Sequence, residues 1–98
     1  MAVTAAFLAK VKTALRVSFN NLDSQISDLI EEAILDLTAT ADIKSFTSAD
    51  ADAVQTGAVI AYVSYKWFND DKYFAAYNDM KTKMAVSGTY RSVMPDEE

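Results

Sequence analysis

The sequence predicts an all-α fold: one small domain of about four helices, a helical bundle, followed by a short irregular C-terminal tail. Three observations carry this. Only two Gly and one Pro punctuate the 98 residues, so little is present to break long helices or to build the tight turns of a sheet. Four stretches repeat apolar residues at the spacing of an amphipathic helix. Hydrophobic residues make up 51% and charged residues 23% of the chain, the balance of a globular protein rather than a disordered one.

The first helix is expected from about Thr4 to Arg16. Phe7, Leu8, Val11, Ala14 and Leu15 share one face, and Lys10, Lys12 and Thr13 lie elsewhere. VSFNN then ends it, Asn being a turn residue. The second helix, Leu22 to about Thr38, has the most regular stripe: Leu22, Ile26, Leu29, Ile30, Ala33, Ile34 and Leu37. Asp23 stands at its start, where a carboxylate complements the helix dipole. Asp28, Glu31 and Glu32 mark the opposite face, and the pairs Asp28/Glu32 and Glu32/Asp36 read as ordinary solvated charges. Leu35 falls in the middle of this acidic face, about 180° from the core stripe at 100° per residue. It is either a single exposed leucine or a partner contact.

TATADIKSFTSADAD reads as a connector tethered by Ile43 and Phe46, with Ser48 or Asp50 capping the next helix. That third helix, about Ala51 to Asn69, is apolar nearly all round. Val54, Ala58, Ala61, Tyr65 and Phe68 form one stripe; Val59, Ile60, Val63 and Trp67 form another on a different side. Such a helix is buried on two sides. Gly57, Ala58 and Ala61 leave room for another backbone. The fourth helix, about Asp71 to Val86, sets Tyr73, Tyr77, Met80 and Met84 on one face with Phe74 beside them. NDD at 69–71 makes the turn and Gly88 is the expected C-cap. The domain is read as residues 1–88 and the acidic tail as 89–98.

The chain has no Cys and no His. Disulfides and thiolate metal sites are excluded, as is the commonest general base and metal ligand. There is no phosphate loop, no GxSxG elbow, and Asp50-Ala-Asp52 lacks the Gly and final Glu of a calcium loop. No enzyme, cofactor or metal is expected. MAVTAAFLAKVKTALR is not read as a signal peptide, since Lys10 and Lys12 interrupt it, and no stretch approaches the roughly 20 apolar residues of a membrane span. The expectation is a soluble intracellular protein.

Seven of the eleven aromatic residues crowd into YVSYKWFNDDKYFAAY, residues 62–77. Tyr65, Phe68, Tyr73 and Tyr77 fall on the stripes that join the third and fourth helices and are expected in the core. Tyr62, Trp67 and Phe74 fall partly off that seam. A base-stacking platform would interleave Lys and Arg, whereas Lys66 and Lys72 here meet Asp70 and Asp71. The net charge of −5 is concentrated: residues 17–60 carry −7 while residues 1–16 carry +3. An acidic middle repels phosphates, so duplex DNA should bind weakly at physiological salt. Trp and Tyr as anchors for protein partners fit better. The candidate interface is Val59, Ile60, Val63 and Trp67, with Leu35; the competing reading folds the first helix over that side and makes it core.

The order of these features resembles the small head-to-tail connector (adaptor, or head-completion) proteins of long-tailed bacteriophages. The resemblance is carried by VKTALRVSFNNLDSQISDLIEEAILDL, by the Tyr-rich AVIAYVSYKWF and by YNDMKTKM. It spans nearly the whole chain, although TATADIKSF lacks the basic and Gly residues expected after the second helix. It implies a subunit that assembles as a dodecameric ring beneath the portal protein at the head–tail interface of the virion, after synthesis in the host cytoplasm. The ring would extend the channel through which DNA passes as cargo, with Asp28, Glu31 and Glu32 facing that channel, and would dock the next connector or tail-completion protein. Two rival classes remain open: a helical regulator or tail-assembly chaperone, and an acidic inhibitor that mimics DNA.

Overall fold

The third helix is the element around which the others are arranged. The computed structural model describes residues 3–40 and 46–86, and these hold four helices: α1 (Ala5–Leu15), α2 (Asp23–Thr40), α3 (Ala53–Phe68) and α4 (Asp71–Val86). Helix α3 packs most extensively on α4, then on α2, then on α1, while α1 also packs on α2. No strand occurs among the described residues. The tail from 89 onward, the Gly88 cap and Ile43 lie outside them.

Local chemistry sets each boundary. Thr4 N-caps α1, its hydroxyl accepting the Phe7 N–H at 3.2 Å. Its own N–H donates to the Ser48 hydroxyl at 2.9 Å, which ties the start of the chain to the connector. The other end of α1 closes with Arg16 in the left-handed region at φ 62°. Arg16 N–H reaches the Thr13 carbonyl at 3.1 Å and Val17 N–H reaches that of Lys12 at 2.9 Å, the pair of bonds that ends a helix in a Schellman motif. The Lys12 ammonium then spans the turn, 2.8 Å from the side-chain Oδ1 of Asn20 and 2.7 Å from the Asp23 carboxylate.

The cap of α3 is Asp52, not Ser48 or Asp50. Both predicted residues are engaged upstream: Ser48 with Thr4, and Asp50 accepting the Thr47 N–H at 2.6 Å. Asp52 accepts from Gln55 N–H while the Gln55 side chain accepts from Asp52 N–H, both at 2.9 Å, a reciprocal capping box. Asn69, at φ 55°, ends α3, and the Asp70 carboxylate accepts the Lys72 N–H at 3.0 Å to begin α4.

The core joins Phe7, Val11 and Leu15 of α1, Ile26, Ile30, Ala33, Ile34 and Leu37 of α2, and Ala58, Val59, Ala61, Tyr62 and Val63 of α3. Tyr77 and Met84 complete it from α4, and Phe46 pins the connector. The second side of α3 is therefore covered from within: Val59 and Val63 are 0% exposed, and Ile60 and Trp67 are partly buried against the same cluster. A β-carbon on Gly57 would meet Met80 at an ordinary 3.9 Å, so a side chain rather than a backbone lies over it. Val54, expected on the core stripe, is exposed, while Gln55 and Thr56 in the same turn are buried.

Ile34 lies on the buried face of α2. Ile34→Ala should lower the free energy of unfolding by about 2–5 kcal/mol, the range for truncating a buried aliphatic side chain, as read from a denaturant melt. An unchanged midpoint would show that α2 is turned differently.

Candidate functional site

Three helices each place two polar or aromatic residues four apart on facing sides: Glu32 and Asp36 on α2, Tyr62 and Lys66 on α3, Tyr77 and Lys81 on α4. They meet as two parallel braces. The Tyr62 hydroxyl donates to Glu32, with the Lys66 ammonium 3.6 Å from the same carboxylate. The Tyr77 hydroxyl donates to Asp36, with Lys81 at 3.0 Å. Between the braces the rings of Tyr62 and Tyr77 meet edge to face, centroids 5.0 Å apart, the arrangement the ring quadrupoles favour. Each ammonium also stands over the ring of its own brace, Lys66 at 5.6 Å from Tyr62 and Lys81 at 5.3 Å from Tyr77.

Burial, and then the adjoining carboxylate, raise both phenol pKa values well above the usual tyrosine range. A buried hydroxyl donating to a carboxylate favours its neutral form. Glu32 and Asp36, which read in the sequence as ordinary solvated charges, each accept a tyrosine hydroxyl, Glu32 from an exposed position and Asp36 from a half-buried one. The signal that could have found them is the repeated Tyr-x-x-x-Lys of YVSYK and YNDMK opposite Glu-x-x-x-Asp.

The aromatic run divides differently from the expected pattern. Tyr62, placed off the seam from sequence, is buried on it because α2 and α4 both reach it. Tyr65 and Tyr73 are half-buried. Phe68, expected in the core, is 47% exposed, and Phe74 is 40% exposed. These last four residues stack in pairs at the α3–α4 turn: Tyr65 on Phe74 at 4.7 Å and Phe68 on Tyr73 at 5.7 Å. The result is an open aromatic end at the α3–α4 turn.

The remaining candidates are scattered. Val59 and Val63 are core, and Ile60 and Trp67 lie against it, so this group is not a face offered to a neighbour. Leu35 is 65% exposed. Asp28 is exposed and Glu31 half-buried on the same side of α2. Shallow hollows among the described residues include one of about 440 Å³ beside α1, one of about 290 Å³ between α1 and the connector, and one of about 370 Å³ between Leu35, Ala39 and Tyr62. Among the described residues, no acidic side chains converge as a metal site, and no helix is long and apolar enough to cross a membrane.

No protein-family model matches the chain, and no curated protein or solved structure is similar to it.

The braces have a titration signature. In the folded chain Tyr62 and Tyr77 hold protons that an unfolded chain releases near pH 10. Their contribution to stability is therefore complete below that pH and is lost as pH rises through the raised folded values. Phenolate absorbance should show a late alkaline step that coincides with unfolding and disappears in Tyr62→Phe/Tyr77→Phe. A late step that survives in the double variant would contradict the assignment.

Proposed function

We propose that this chain is a structural subunit, a head-to-tail connector that assembles as a ring beneath a portal protein, extends the DNA channel and docks the next connector or tail component. The observation that carries the reading is the open aromatic end of the α3–α4 hairpin. Phe68 and Phe74 stand in solvent although the chain has other large apolar residues fully buried. Exposed aromatics grouped at one end, rimmed by polar residues, are what protein partners use as anchors. Nucleic acid fits this end less well. Lys66 is already paired with Glu32, and Lys72 is 4.0 Å from Asp70, so little free positive charge remains to displace counterions from a phosphate chain. A net charge of −5 suits a wall along which DNA slides without adhering. The resemblance of the helical order to phage connectors names the partners: the portal on one side and a tail-completion protein on the other.

Sedimentation of the chain with and without the portal protein tests this. The connector reading expects a multiple of the subunit mass on the portal. It also expects Phe68→Ala/Phe74→Ala to keep its circular dichroism but lose docking by tenfold or more, as truncated anchors of about 2 kcal/mol imply. A subunit that stays monomeric in both conditions would favour a regulator or chaperone. Capture of a DNA-binding protein in place of the portal would favour the acidic mimic.

A further inference from the structure

The start of α1, the connector and the first turn of α3 meet around the hollow of about 290 Å³, whose walls include Thr4, Ala6, Lys10, Ser48 and Thr56. Two of these side chains are deeply buried hydroxyls, Ser48 at 7% exposure and Thr56 at 8%. Thr56 lines the hollow, and among the described residues its hydroxyl has no hydrogen-bond partner. A buried hydroxyl left unpaired costs free energy that an acceptor placed in the hollow would recover. The Ser48 and Thr4 hydroxyls each accept one backbone N–H, from Thr4 at 2.9 Å and from Phe7 at 3.2 Å, and each keeps a proton to donate. The N–H of Ala6, in the first turn of α1, has no partner within its own helix. Lys10 is exposed and makes no ion pair among the described residues. The acidic side chains nearby in sequence are engaged elsewhere: Asp50 holds Thr47 and Asp52 caps α3. Neither lines the hollow. Each free group on these walls can donate, and the single charge is positive.

We infer that this hollow binds a carboxylate, its oxygens accepting from the Ser48 and Thr56 hydroxyls and its charge met by Lys10. A cation would find no negative side chain on the walls. A phosphate dianion would bring two charges to one ammonium. A carboxylate brings one charge and two oxygens with about four lone-pair directions, enough for both hydroxyls, the Ala6 N–H and Lys10. The start of α1 adds the positive end of a helix dipole, and hydrogen bonds to an ionised acceptor are the strong ones. Small organic acids and the C-terminus of a peptide both present this chemistry. The site does not rest on the ring reading: Thr56 and Phe68 lie at opposite ends of α3, so the hollow is separate from the aromatic end and needs no portal.

Two-dimensional NMR of the full chain tests the site, with separate titrations of sodium acetate, sodium chloride and sodium phosphate. Acetate should shift the amides of Ala6, Lys10, Ala49 and Thr56 along one saturating curve, at concentrations where chloride leaves them unmoved. Lys10→Ala and Thr56→Val should each weaken that binding by about tenfold, as the loss of one charge-assisted hydrogen bond implies. Thr56→Val also separates a ligand donor from a structural one. Removing an unpaired hydroxyl should leave the melting midpoint unchanged or raise it; a lowered midpoint would show that the hydroxyl serves the fold and would overturn its role here. An acetylated tetra-alanine with a free C-terminal carboxylate, compared with its amide, identifies the source. Tighter binding than acetate by the acid, with none by the amide, assigns the site to peptide ends. Acetate binding at least as tightly as the peptide assigns it to small acids. Shifts that follow ionic strength alone, tighter binding of phosphate than of acetate, or an acetate curve that neither variant weakens would overturn the carboxylate site and leave the connector reading untouched.

Discussion

Everything in this small domain depends on covering α3. Its sequence, AVQTGAVIAYVSYKWF, has a single charged residue, Lys66, and no side that water could occupy without cost. A helix of this length would be marginal alone, since tertiary packing rather than propensity supplies most helical stability in proteins. Each neighbour takes one sector. Helix α4 meets α3 through the ring pairs Tyr62–Tyr77 and Tyr65–Phe74, α2 through the Tyr62–Glu32 hydrogen bond, and α1 packs on it as well. The polar interactions then fix what burial leaves undirected. Lys12, held between Asn20 and Asp23, sets the turn between α1 and α2. The tyrosine–carboxylate braces set how α2 and α4 lie across α3. Half-buried hydrogen bonds to charged groups contribute more than neutral ones, on the order of 1.5–3 kcal/mol. They are also directional, which apolar contact is not.

The helices were legible in the sequence because each is amphipathic or apolar over several turns. Their ends were legible only in part. Asn69 and Asp70 announced their turn, but Ser48 and Asp50 outbid Asp52 as caps, although Asp52 has the Gln55 three residues on that a capping box requires. Periodicity assigns an angle around one helix and says nothing about which neighbour arrives there. That is why Tyr62 was placed off the seam and Phe68 on it, and why Val59 and Val63 looked available to a partner. The first helix packs directly on the third although the whole of α2 lies between them in sequence.

The braces were illegible for the same reason in sharper form. Glu32 and Asp36 look like surface charges when α2 is considered alone, and of the two Tyr-x-x-x-Lys pairs only Tyr77 falls on the expected seam. Only their juxtaposition makes them one feature. Leu35 ran the other way. Its isolation on an acidic face was visible at once, and the structure leaves it exposed. Once α3 is covered, the aromatic end of the α3–α4 hairpin is left in solvent.

Native-state hydrogen exchange tests the central claim, that α3 is held on all sides and the domain is organised about it. Amides near the middle of α3, around Val59 to Val63, should exchange only through global unfolding, with an opening free energy equal to the stability from denaturant melts. The ends of α1 and α4, each covered on one side, should open at lower cost. If the middle of α3 exchanges through a smaller opening while α1 and α2 stay protected, then α3 is not the element the others depend on.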